Sequence, residues 1–101
     1  MNTITITIGR NVGDVPLDDH RWAGFRNDIQ TVLSNHYAEV YVNAAAGRGT
    51  WEGVEEENAT WVASVDTAFI PGVRARLKYM ADLYKQDAIA LTVGDTALVT
   101  P

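Results

Sequence analysis

Residues Thr3 to Ile8 read Thr-Ile-Thr-Ile-Thr-Ile, a strict alternation of hydroxyl and branched apolar side chains. In a helix, side chains three or four apart share a face, so this pattern would scatter the isoleucines around the cylinder. In a strand they all fall on one side. β-Branched residues also favour the pleated form. The stretch is therefore predicted to be a strand with Ile4, Ile6 and Ile8 on one face and Thr3, Thr5 and Thr7 on the other. An amphipathic strand needs both edge partners and a layer to cover its apolar face. Gly9 ends it, and the turn-rich segment Asn11-Val12-Gly13-Asp14-Val15-Pro16 follows.

The covering layer is visible further on. Trp22, Phe25, Ile29, Val32 and Leu33 recur at helical spacing, with Asp18 or Asp19 placed to cap the first turn. This helix is expected to fade near Ser34-Asn35-His36. Gly24 weakens it by about 1 kcal/mol relative to Ala, which suits a close packing contact. A second helix starts near Asp66 or at Pro71, a residue suited to the first turn. Its buried stripe is Val73, Leu77, Met80 and Tyr84. Between the helices, Glu39 to Ala44 and Asn58 to Val65 read as two strands of a hairpin with a long or bulged tip. The side of the second of these on which Trp61 lies is left open. A last strand spans Ala88 to Val93, followed by the Gly94-Asp95 turn and an extended tail, Ala97 to Thr100.

The order is β-α-β-β-α-β, an α+β, ferredoxin-like plait with an antiparallel sheet and both helices on one face. The chain has 101 residues, 47% of them hydrophobic and 21% charged, so residues 1–101 are expected to form a single domain around one core. There is no cysteine, which removes disulfides and thiolate chemistry. The N-terminal stretch lacks the basic region and apolar run of a signal peptide, and no segment has the ~20 apolar residues of a membrane span. A cytoplasmic protein is expected, in the host cytoplasm if phage-encoded. The net charge is −5 and the eight Lys and Arg are scattered, so neither nucleic acid nor an anionic membrane is expected as a partner.

The uncovered face of such a sheet would present Thr5, Thr7, Thr92, Tyr41 and Asn43. It is semi-polar, suited to a wet surface, a homodimer contact or a ligand groove. Trp51, Trp61, Tyr41 and Tyr84 could stack on a planar ligand, and Arg48 could hold its anionic group. Arg10, in the turn after the first strand, could contact an anion with backbone N–H groups. Gln86-Asp87 lies where the second helix meets the last strand. The candidate ligand- or partner-binding residues are therefore Arg10, Tyr41, Asn43, Arg48, Trp51, Tyr84, Gln86 and Asp87. Glu55, Glu56 and Glu57 alternate in direction along a strand and cannot easily converge on one ion, so no metal site is expected. His20 and His36 are about 24 Å apart along one helix, too far for a shared site. No catalytic set or cofactor motif is apparent.

Several pieces resemble a family of small, uncharacterised bacterial and phage α+β proteins. They are Gly47-Arg48-Gly49-Thr50-Trp51, the acidic run Glu55 to Glu57, Tyr84-Lys85-Gln86-Asp87-Ala88, and Trp22-Ala23-Gly24-Phe25. The arginine that follows the acidic residue in that family is missing, and its Gln-Glu-Ser element reads Gln-Asp-Ala. The resemblance implies a similar plait and self-association, and no assigned reaction. The resulting expectation is a non-enzymatic interaction module, a phage-type accessory protein that forms a dimer and binds a protein or a small molecule. Two alternatives stand beside it: a dimeric α/β-barrel-type enzyme acting on a small organic substrate, and a sponge for an anionic nucleotide signal using Arg10, Arg48 and the aromatics.

Overall fold

A computed structural model gives the architecture for residues 1–97 and 99–101. The tail expected over Ala97–Thr100 contains position 98 and so lies partly outside the described residues. Strand β1 (Asn2–Gly9) is followed by a two-stranded ribbon, β2 (Asn11–Val12) and β3 (Val15–Pro16), which turns at Gly13-Asp14. Helix α1 (Asp19–Asn35) leads to the long hairpin β4 (Glu39–Trp51) and β5 (Val54–Val65). A short 3-10 turn (Thr67–Phe69) enters α2 (Ile70–Leu83), and β6 (Ala90–Gly94) closes the sheet. The sheet order is β4-β5-β1-β6, antiparallel throughout. This is the plait the sequence implies.

Ile4, Ile6 and Ile8 are fully buried beneath the helices. They join Trp22, Phe25, Ile29, Val32 and Leu33 of α1 and Val73, Leu77 and Met80 of α2 in one core. Trp61 belongs to that core at 1% exposure, with Ala59, Ala63 and Val65 along the same side of β5. The helix boundaries follow local chemistry. Asp18 caps α1 by accepting the Arg21 N–H at 2.8 Å, and Asp66 caps the 3-10 turn by accepting the Ala68 N–H at 2.9 Å. At the other end of α1, His36 hydrogen-bonds the Val32 carbonyl and lies against Gly72 of α2. A methyl at position 72 would come within 2.9 Å of the His36 ring, so the glycine sets the helix–helix distance there. No helix among the described residues is long and apolar enough to cross a membrane.

The hairpin departs from expectation in two ways. Its tip is short, only Glu52-Gly53, with φ of 50° and 81°. Two-residue turns between right-twisted strands need this positive-φ pair, and Gly53 adopts it without strain. Gly47 to Trp51 and Val54 to Glu57 are therefore paired strand, not loop. Second, β4 carries register shifts between Val40 and Val42 and between Val42 and Ala45, with Ala44 at a φ of 56°. These bulges locally reverse which side chains face which way. Val42 lies opposite Val62 on the uncovered face, and Asn43 instead accepts the Trp61 Nε1–H at 3.2 Å. The expected placement of Asn43 on the open face, opposite Val42, is corrected accordingly.

Candidate functional site

The uncovered face is assembled from alternate residues of all four main strands. Thr3, Thr5 and Thr7 of β1 are flanked by Ser64, Val62 and Thr60 of β5 and by Gly94, Thr92 and Ala90 of β6. The Thr7 and Thr60 hydroxyls hydrogen-bond at 3.0 Å. At the hairpin end this face deepens into a groove of about 270 Å³. Its floor is Thr7, Glu56 and Asn58, and its walls are Trp51 on one edge and Gln86-Asp87-Ala88 on the other.

Glycines clear the space for those polar side chains. A methyl at position 9 would sit 2.3 Å from Glu56 Oε1, and one at position 47 would sit 2.6 Å from Asn58 Oδ1. A methyl at position 49 would lie 3.2 Å from Asn58 Nδ2. The Glu56 carboxylate thus rests directly over the Gly9 backbone and accepts the Asn11 N–H at 2.9 Å. Asn11 also donates through Nδ2 to the Glu55 carbonyl at 3.2 Å, and its own carbonyl accepts Gln86 Nε2 at 3.2 Å. The Trp51 indole N–H donates to Asp87 Oδ2 at 3.3 Å, joining the two walls. The charged groups lining the groove are the carboxylates of Glu56 and Asp87; its lining includes no Lys, Arg or His. A cation gains from that field, whereas an anion would be repelled.

Of the eight residues expected from sequence, Trp51, Gln86 and Asp87 come together here. Arg10 and Arg48 meet elsewhere, around Glu57. Arg10 donates to Asp19 at 2.7 Å, Glu57 at 2.8 Å and the Leu17 carbonyl at 2.8 Å. Arg48 pairs with Glu55 at 2.8 Å and approaches Glu57 at 3.8 Å. Hydrogen bonds to Asp19 and Glu57 raise the pKa of Arg10, and the one to Glu55 raises that of Arg48. Both guanidiniums are paired with carboxylates outside the groove, which offsets the positive charge an anionic ligand would use. Tyr41 is exposed and does not line the groove.

Tyr84 serves the core. Its ring stacks on Phe25 with centroids 4.3 Å apart, and its hydroxyl donates to Asp28 Oδ2 at 2.5 Å, tying α2 to α1. Burial and the Asp28 carboxylate push its pKa from 10.0 up to about 12. The folded state therefore holds this proton more tightly than the unfolded chain. Its contribution to stability is complete below pH 10.0 and is lost as the pH rises toward about 12. Thermal melts across that window should show Tyr84→Phe losing less stability than the wild type. Parallel losses in the two proteins would refute the assignment.

Glu56, Asn58 and Asn11 are not among the site residues expected from sequence, and Thr7 is expected only as part of the open face. The signal was present in β5, where Ala59, Trp61, Ala63 and Val65 form a wholly apolar set against Asn58, Thr60, Val62 and Ser64. Placing Trp61 inward on that basis turns Asn58 and Glu56 outward.

No family model matches the sequence, and no curated protein matches it. Solved structures that share the fold across most of the chain include the following two. One is a phage SAM lyase in the apo state, with a TM-score of 0.61 and 19% identity, covering 91% of this chain and 78% of that one. The other is a phage SAM lyase in complex with S-methyl-5′-thioadenosine, with a TM-score of 0.61 and 16% identity, covering 93% of this chain and 80% of that one. The resemblance to small phage α+β proteins agrees with these neighbours at the level of fold. The expectation of a non-enzymatic module is corrected by them. Both of these neighbours are structures of an enzyme, whereas a non-enzymatic module was expected.

Proposed function

We propose that the chain is a lyase of sulfonium nucleosides, which cleaves S-adenosylmethionine and releases S-methyl-5′-thioadenosine. The observation that carries this reading is a groove whose charged groups are both carboxylates, in a fold similar to that of the phage SAM lyase. The substrate carries a positive sulfur and an ammonium against one carboxylate, and Glu56 and Asp87 favour that net positive charge. The neutral thioether product lacks that attraction, so the field that holds the substrate also helps the product leave.

The chemistry asks little of a nucleophilic side chain. A sulfonium is already activated as a leaving group. The bond between sulfur and the aminocarboxypropyl carbon breaks, both electrons remain on sulfur, and the sulfur becomes neutral. The substrate's own carboxylate oxygen can bond to that carbon and close a lactone, so no outside atom enters. A groove that orients the chain and stabilises the shifting charge is sufficient. This accounts for a catalytic reading in a sequence with no triad.

The direct test is incubation of the purified protein with S-adenosylmethionine, followed by chromatography. Loss of substrate with equimolar appearance of S-methyl-5′-thioadenosine is the expected result. Intact substrate in the presence of folded protein would overturn the reading.

A further inference from the structure

We infer that Trp51 is the surface on which the purine of the nucleoside stacks, and that Asp87 is a positioning residue that sets the angle of the indole. The inference rests on the lyase reading and extends it to the part of the ligand remote from the sulfur. β4 and β6 are the two edges of the sheet, and Trp51 and Asp87 stand on opposite walls of the groove. Their hydrogen bond crosses between those walls above Thr7, Glu56 and Asn58.

The three tryptophans are not equivalent. Trp61 is 1% exposed and Trp22 7% exposed, but Trp51 is 47% exposed. Trp22 is engaged by Phe25 and by the Arg26 guanidinium. Among the described residues no ring or guanidinium stacks on Trp51. Its one polar atom is bonded, so the indole is held in place with its flat surface available. Gly49 precedes it by two residues on the same face of β4 and adds no side chain beneath a planar ligand. The other aromatic candidates lack this combination. Tyr84 is stacked on Phe25, Trp61 is buried, and Tyr41 lies outside the groove. A base stacked on an aromatic ring is the common way proteins hold purines without reading their edges.

The test is titration of the full chain with S-methyl-5′-thioadenosine, read by tryptophan emission and by calorimetry. This probe is neutral, so loss of the Asp87 charge cannot by itself weaken its binding. In the wild type the emission of the exposed indole should change on binding, and Trp51→Phe should abolish that change while keeping affinity within about threefold. Trp51→Ala should bind about tenfold or more weakly, ~1.4 kcal/mol per factor of ten. Asp87→Ala should bind several-fold more weakly, and the double variant no more weakly than Trp51→Ala alone, because Asp87 acts through the indole. Unaltered melting temperatures would separate these effects from folding. Wild-type-like affinity in Trp51→Ala, or additive losses in the double variant, would overturn the inference while leaving the lyase reading intact if substrate is still cleaved. A wild-type protein that neither binds the probe nor cleaves S-adenosylmethionine would overturn both.

Discussion

Trp61→Ala is expected to lower the melting temperature by about 15–30 °C. Trp61 lies opposite Ile6 in the β1–β5 ladder and is flanked on its own face of β5 by Ala59 and Ala63. One large side chain between two methyls fills the space beneath the helices, and the flanking alanines are too small to fill the vacated volume. Truncating a buried Trp in such a setting costs about 3–5 kcal/mol, from lost transfer energy and from the cavity left behind. A domain of this size has only about 5–15 kcal/mol of net stability. The indole hydrogen bond adds little to the loss, because its acceptor Asn43 is exposed and returns to water. Trp61→Phe retains most of the volume and should cost well under half as much. Thermal melts followed by circular dichroism give the comparison. A drop of under 5 °C for the alanine variant would show that neighbouring side chains collapse into the space.

The same residue explains what could be read from sequence and what could not. The first strand and both helices were legible because each has one apolar stripe at one unambiguous period. Ile4-Ile6-Ile8 cannot form a face except in a strand, and the α1 stripe cannot form one except in a helix. Element order then left few topologies. The hairpin was less legible because its turn is encoded by backbone conformation. Glu52-Gly53 makes a tight reversal, but Gly47 and Gly49 read equally well as loop residues. In the structure they are strand residues whose missing side chains leave space for Asn58 across the ladder. Such a vacancy has meaning only once the register is known. The bulges that redirect Asn43 toward Trp61 have no sequence mark beyond Ala44, which shows no sign in itself of adopting a positive φ.

The candidate site was legible only at its rim. Trp51, Gln86 and Asp87 are legible because an aromatic among turn glycines and a polar pair at a helix–strand junction are marked in the sequence itself. The floor was hidden in Glu55-Glu56-Glu57, a run that looks like a solvated flank. Pairing divides it. Glu55 and Glu57 lie on the helix side with Arg48 and Arg10, and Glu56 alone lies on the open face. Arg10 and Arg48, whose type suits an anion, instead pair with the two glutamates facing away from the groove. The sign of the expected ligand charge is thereby reversed. This came from long-range partner choice, which no local pattern records.

Glu56→Gln should reduce kcat/KM for S-adenosylmethionine by about 100-fold, equivalent to ~2.7 kcal/mol of transition-state stabilisation. A unit charge held 4 Å from another is worth ~4 kcal/mol at an effective dielectric of about 20, and water entering the groove takes part of that away. The amide retains an oxygen that can accept the Asn11 N–H, so the variant removes charge while preserving the anchor. Melting temperature should move by only a few degrees, since the residue is in the groove and not in the core. Gly9→Ala tests position separately from charge. Its methyl would occupy the place of the Glu56 carboxylate, which must swing aside and give up the Asn11 hydrogen bond. The backbone at Gly9 has no positive φ, so alanine adds no backbone strain there. Activity should fall about tenfold with the charge still present, because a displaced carboxylate acts from the wrong distance. If both variants cleave substrate within threefold of the wild type, Glu56 is only a structural tie between β5 and the β1–β2 junction. A loss confined to Gly9→Ala would instead mean that the groove works by shape and hydrogen bonding, with its charge incidental.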